Sequence, residues 1–534
     1  MALVYGALID APPLTWDDAP NIFENPHFRN GSWTALWRAP YFGMYIPVVE
    51  TIWAALYKVG EGAAWPFRVF NIALHIANVV LFAVLLQRVL LRFEIAGGAA
   101  FATGVAIFAL HPQQTATICW LSGSRDLVAT TFAFAAVAVL FRRGRWAEFW
   151  STLLFIAGLL SKPQIAGVPL AIALFTWLFE RERFKRTALL MAGWSLLVVA
   201  SAVVTWAAQA GDADSVHVPL AHRPVLALDA LGFYLMKTVW PFPLAADYGR
   251  TPDVMRENPS RMIFTIGLAT FCGWALWAAA RRHRGYGVGF LWPLLLLPVL
   301  GFATFGYQRI STVADHYNYL PLAIAGTLAA VGIARSTWRD SGWLWAFPAL
   351  IVVVGGFASW HRTKDWRDDD HFYADMLAKN PRSYSAQLNL AASACDRGDW
   401  RAGLSLVQRA SGRGTDDPGV LANTAYCLFR GGQLDDVVRL QTNLRNASVR
   451  GKLARNPPAA VLFAASIAGA FDKQGFPMRA FAYFCQAHAL APEDAHIAGD
   501  IASIHQQMLQ AGRDVVCPGL LGWDKLEAIV ADIR

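Results

Sequence analysis

The chain has 534 residues, 55% hydrophobic and only 16% charged, with a mean hydropathy of +0.35 and a formal net charge of +8. Globular proteins average about 25% charged residues, so a simply soluble multidomain chain is excluded. Nucleic acid is not implied as a partner either: the basic residues stand in short clusters between apolar runs, as membrane topology signals do.

About ten residues around GALID, too few to span a bilayer, precede the first polar stretch. Either a first helix lies upstream, or the chain begins at the outer surface. The stretch PPLTWDDAPNIFENP, from Pro12 to Pro26, then places two adjacent carboxylates, Asp17 and Asp18, before the first full-length apolar run. Neighbouring like charges repel, and hydrocarbon disfavours ionising either one. One aspartate could N-cap a short helix, but capping gives no reason for a pair.

Apolar runs follow at about 66–92, 97–118, 126–141, 147–161, 164–179, 187–207, 261–280, 286–305, 317–334 and 341–359. Spanning segments must satisfy their own backbone hydrogen bonds, so these runs predict helices. Basic clusters at Arg88/Arg92, Arg142/Arg143/Arg145, Arg181/Arg183/Lys185/Arg186, Arg281/Arg282/Arg284 and Arg335/Arg339 all fall on one side, which the positive-inside rule makes cytoplasmic. The run from Val225 to Trp240 breaks that count if it crosses, so it is expected to be re-entrant or interfacial. The opposite side then holds a first loop at 11–65, the His111–Asp126 segment, Lys162, the polar loop Gly211–Arg223, the Asp247–Pro259 loop and Arg309–Tyr319.

After Trp360 the chain turns polar and reads as paired amphipathic helices. Turn glycines Gly398 and Gly432 stand one 34-residue repeat apart, the tetratricopeptide period. Gly475 follows after a longer interval, so the third unit carries an insertion. The expected fold is all-α: a polytopic bundle of about ten or eleven transmembrane helices over 1–360, then a tetratricopeptide-repeat α-solenoid over 361–534 on the extracytoplasmic side. The six cysteines show no C-x-x-C or metal spacing and are expected to be free buried thiols. No cleavable signal peptide is evident. The Asn-x-Ser triplets at Asn30 and Asn446 matter only where N-glycosylation machinery exists.

The outward loops carry TWDDAPNIFENP (15–26), LHPQQTATICWLSGSRDLVA (110–129), LLSKPQIAGVPL (159–170), WPFPLAADYGR (240–250) and STVADHYNYLPL (311–322). In this order, with repeats appended, the chain resembles the transmembrane-and-tetratricopeptide protein O-mannosyltransferase family, and more broadly the GT-C fold of polyprenyl-phosphate-sugar glycosyltransferases. The resemblance covers nearly the whole chain. It implies a lipid-linked sugar donor and an acceptor hydroxyl on the extracytoplasmic face, a protein Ser or Thr if the repeats hold peptide. It also implies Asp17 or Asp18 as the base, with the other orienting the acceptor or a divalent cation such as Mg or Mn. A leaving phosphate calls for positive charge and a hydroxyl for a base. Lys162, in a match to the family's SKE motif that departs at Pro163 and Gln164, is a candidate phosphate contact, as is Arg125, with Asp126 orienting it or pairing with it. His316 precedes Tyr317 where the family usually has arginine, which predicts weaker or pH-dependent phosphate binding; Arg309 and Arg250 are the substitutes. His111 reads as a helix-end residue rather than a ligand. High Ala, Arg and Trp content suggests a GC-rich bacterium, and hence an inner membrane with the site and repeats facing the periplasm. A non-catalytic scaffold built on the repeats, or the same enzyme acting on a lipid or polysaccharide, are the competing readings.

Overall fold

The apolar runs fold as helices, which bond every interior N–H and C=O along their own length. In the computed structural model all residues are described except 96, 143, 210–217, 258, 304–305, 337–340, 493, 518–521 and 533–534. Arg143, Arg339 and most of the expected 211–223 loop therefore lie outside the described residues. The described residues form helices and turns without a strand and divide into two compact units, Met1–Phe372 and Tyr373–Arg534.

In the first unit, five helical segments are long and apolar enough to cross a membrane: Trp65–Arg92, Leu121–Leu140, Arg181–Gln209, Met262–Arg282 and Gly342–Trp366. They suggest an integral membrane protein. Gly98–Leu110, Pro163–Phe179 and Leu322–Ala334 are apolar but shorter. Of the ten or eleven transmembrane helices expected, five have that length and character among the described residues. The run at 286–305 shows why. Gly285, Gly287, Gly289, Pro293 and Pro298 break it into a 3-10 turn (Arg284–Phe290), a short helix (Leu291–Leu296) and a second 3-10 turn (Leu297–Val299). The run at 225–240 is one continuous helix, Arg223–Val239, packed on Pro259–Arg282.

A polar stripe organises the bundle. Arg68, Asn71, His75 and Asn78 recur every three or four residues on Trp65–Arg92, so they share one buried face. Asn71 donates to Trp120 O at 2.9 Å, His75 pairs with the Tyr319 hydroxyl at 2.8 Å, and Asn78 donates to Leu127 O at 3.1 Å. Near one end, Arg68 holds Cys119 O and, at 2.8 Å, Pro12 O. Towards the other end, Arg88 donates to Ala138 O at 2.8 Å and Arg92 to Phe179 O at 2.7 Å. Arg284 reaches Leu178 O at 3.1 Å and Arg335 reaches Phe93 O at 2.9 Å. Cations there meet the negative ends of helices. Arg68 and Arg88 are about 30 Å apart along the helix, the thickness of a bilayer's hydrocarbon core.

Close glycine contacts fix the register. A Cβ on Gly326 would lie 2.6 Å from Gly104 O, and one on Gly104 would lie 2.8 Å from Gly326 O. Small residues of this kind let helices approach where no hydrophobic effect drives them together. Gly326→Val is expected to wedge the Gly98–Leu110 and Leu322–Ala334 helices apart at about 1–3 kcal/mol. A thermal-shift measurement in detergent checks it, and an unchanged Tm would show the contact to be slack.

The polar segment after Trp360 was expected to open the second domain. It belongs instead to the first unit as far as Phe372, because it fastens the first loop. Asp369 accepts from Thr15 N at 2.9 Å, and the Phe372 ring packs on Trp366 at 4.9 Å and on Trp16 at 6.0 Å.

The second unit is a run of paired helices: Tyr384–Asp396 with Trp400–Ala410, Pro418–Arg430 with Leu434–Leu440, and Pro457–Lys473 with Pro477–Leu490. Ser383, Asp399, Asp417 and Asn456 cap their N-termini through side-chain oxygens. The turns Gly398, Gly432 and Gly475 all have positive φ, which glycine alone adopts without strain. The insertion before Gly475 is the short helix Ala447–Ala454. The expectation of free thiols fails here: Cys395 is bonded to Cys427 and Cys485 to Cys517. Cys395 and Cys427 sit on the first helices of consecutive pairs, and stacking brings them together. Cys119 and Cys272 are free. Gly403 has room for no Cβ, because one would meet Cys395 Sγ.

Candidate functional site

The five loop motifs named above converge in the first unit. Asp18 is fully buried, with Oδ1 accepting from Ser122 N at 2.9 Å and Oδ2 from Leu14 N at 3.4 Å. It occupies the N-cap position of a short π-turn, Ala19–Phe23, but makes no cap bond. The capping alternative is therefore not what holds it; Asp18 pins the first loop to the turn before the Ser124–Leu140 helix. Burial raises its pKa, against the pull of Arg68.

Asp17 is the one of the pair that reaches open space. Its side chain is 30% exposed, and Oδ2 stands 3.4 Å from Arg125 Nη2. Burial pushes its pKa up, Arg125 pulls it down, and Asp18 adds a smaller push up. Arg125 is held by Nε donating to Ser122 O at 2.9 Å and Nη1 to Met44 Sδ at 3.1 Å. Its guanidinium lies 5.0 Å from the Trp120 ring and 5.9 Å from the Trp53 ring.

Arg125 and Asp126 do not pair with each other. Asp126 takes Lys162 instead, both carboxylate oxygens lying 2.7 Å from Nζ. Burial makes the Lys162 proton easier to lose, and Asp126 is the first influence that offsets this. The Lys162 ammonium lies 5.6 Å from the Tyr317 ring. Gln164, where the SKE pattern departs, donates to Tyr317 O at 3.0 Å and ties the two turns together. His316 is packed between Trp120 (5.2 Å) and Tyr307 (6.0 Å). Burial first, then Lys162 and Arg125, hold its pKa well below the ordinary value. Its imidazolium form is therefore disfavoured in this setting.

The remaining candidates are placed elsewhere. Arg250 pairs with buried Asp229, Nη2 to Oδ2 at 2.6 Å. Arg309 is exposed, with Nε donating to Gly306 O at 3.3 Å. His111 ends the Gly98–Leu110 helix, accepting from Gln113 N at 3.3 Å and pairing with Thr238 O at 3.1 Å. It is the helix-end residue its position suggested.

Sequence reasoning missed two acids. Glu50, on the Pro47–Val59 helix, is buried, with Oε2 making no hydrogen bond. Asp315 accepts from Tyr248 OH at 2.7 Å, and burial raises its pKa to about 6. Asp315 stood inside a motif already singled out. Glu50 carried no signal beyond an acid within an apolar run.

The two-aspartate cation site does not fit. Asp18 is enclosed and bonded to backbone N–H groups, so the pair presents one open carboxylate, not two. Among the described residues no group of three His, Cys, Asp or Glu side chains could hold a metal ion.

The first unit also holds an apolar cavity of about 890 Å³, lined by residues including Leu110, Leu235, Trp240, Leu276, Phe290 and Ile351. Thr238 lines it too, and accepts at 2.9 Å from Asn318, the neighbour of Tyr317. Against known proteins, no family model, no curated protein and no solved structure matches the chain.

Proposed function

We propose that the first unit is a membrane glycosyltransferase of GT-C type that moves a sugar from a polyprenyl-phosphate donor to an acceptor hydroxyl on the extracytoplasmic face. The observation that carries this reading is the partly exposed Asp17 carboxylate facing Arg125, with Lys162 on the Asp126 carboxylate beside it. Asp17 takes the proton of the acceptor hydroxyl as it attacks the anomeric carbon. Arg125 and Lys162 stabilise the phosphate that leaves, which is weakly basic and needs no acid. Direct displacement inverts the anomeric centre. The apolar cavity suits an isoprenoid tail, and its link through Thr238 and Asn318 brings that tail's head towards Tyr317.

The second unit is read as a tetratricopeptide solenoid that presents a protein Ser or Thr. Its two disulfides support an oxidising compartment such as a periplasm, in agreement with the basic clusters gathered opposite the site. The test is intact mass on envelope proteins from cells with the native gene, a deletion and Asp17→Asn. A hexose-sized increment lost in both altered strains supports transfer to protein. Identical masses in all three would discard a protein acceptor and favour the scaffold reading.

A further inference from the structure

Glu50 is buried beside the proposed site, yet the mechanism above gives it no task. It lies on the same helix face as Trp53, one turn earlier. Trp53 docks that face on the start of the Ser124–Leu140 helix, its Nε1 donating to Ser124 Oγ at 2.6 Å, and its ring lies against the Arg125 guanidinium. The arginine is only lightly held on its outer side: Nη1 meets a thioether sulfur, and Nη2 a carboxylate at 3.4 Å. A buried carboxyl with an oxygen lacking any partner, one helical turn from the ring that lies against a weakly held cation, is a competitor for that cation.

We infer that Glu50 is a proton-controlled positioning residue for Arg125: neutral, it leaves the guanidinium to an anion in the site, and ionised, it draws the guanidinium to itself. The inference rests on the reading that Arg125 contacts the donor phosphate. Burial lifts Glu50 to about 8, with Arg125 pulling the other way. Glu50 is thus neutral below that pH and charges as pH rises through it. The groups around it are Arg125 from the Ser124–Leu140 helix and Tyr41 from the first loop, with Glu24 and Arg29 beyond Tyr41. Asp17 stands across Arg125. Lys162, whose proton burial loosens, adds a decline of its own at higher pH.

The probe is inorganic sulfate, whose charge is constant over this range, titrated calorimetrically into the full chain in detergent. If only the neutral form leaves Arg125 available, wild-type sulfate affinity falls about fivefold from pH 8 to pH 9. Glu50→Gln, uncharged at every pH, should lose most of that fall and keep only what Lys162 contributes. Glu50→Met, matched in volume, should behave alike and covers a poorly folded glutamine variant. The same decline in variant and wild type, or no sulfate binding at any pH, would overturn the inference. Donor KM followed over the same range separates the two ideas. The sulfate pattern without any sugar transfer keeps the role of Glu50 and discards the transferase.

Discussion

In Asp17→Asn, sugar transfer is expected to fall by about 10²–10⁴-fold, the usual contribution of a positioned general base, while the protein folds and inserts normally. The amide is isosteric, and Asp17 contributes only a long contact to Arg125 and a backbone carbonyl to Asn21. Asp18→Asn should behave in the opposite way. Its carboxylate accepts two backbone N–H groups in a buried setting, and an amide would turn a donor towards one of them at about 1–3 kcal/mol. That variant should lose stability first, with transfer lost only as the first loop comes away. The pair is separated by measuring transfer and thermal stability on both variants together. Equal loss of stability with no selective loss of transfer in Asp17→Asn would remove Asp17 from its assigned role. Because a base works only when deprotonated, the wild-type rate should also climb as pH rises through the Asp17 pKa, which burial has raised.

Replacing Cys395 and Cys427 together by serine is expected to cost the second unit about 4 kcal/mol, the chain-entropy value for a loop of this size. The Cys485–Cys517 bond closes a loop of the same separation, 32 residues, and should contribute similarly. Urea denaturation of the full chain with and without reductant measures both, and the first unit's transition should not move. A second-unit transition indifferent to reductant would show that helix stacking alone holds it.

The helices were legible because their signal is local: apolar runs without turn residues, and glycines at repeat turns. What was not legible required distances across the chain. Lys162 and Asp126 are separated by a whole helical hairpin, so nothing at either position announces that Asp126 will choose Lys162 over its neighbour Arg125. The acidic pair was visible as a pair, yet its division of labour was not, since only the fold decides which carboxylate meets Ser122 N and which meets open space. The cystines could have been found. Cys395 and Cys427 fall almost one repeat apart, and a period in the sequence is a statement about neighbours in space. The domain boundary was misplaced because polarity changes at Trp360, whereas packing changes only after Phe372 has covered Trp16.

The spacing of Arg68 and Arg88 on one helix has a consequence for the lipid around it. With Arg68 anchored to the first loop and Arg88 to the opposite end of the bundle, the depth of the site is fixed by a rigid ruler rather than by the membrane. On the proposed mechanism the donor rides at the height of its own leaflet, so a bilayer thinner or thicker than that ruler carries its phosphate out of line with Arg125. Bilayers and helices adjust to such mismatch by thinning, thickening or tilting, at fractions of a kcal/mol per Å. Turnover in vesicles should therefore peak at one acyl-chain length and decline on both sides of it, making this chain a gauge of the membrane it sits in.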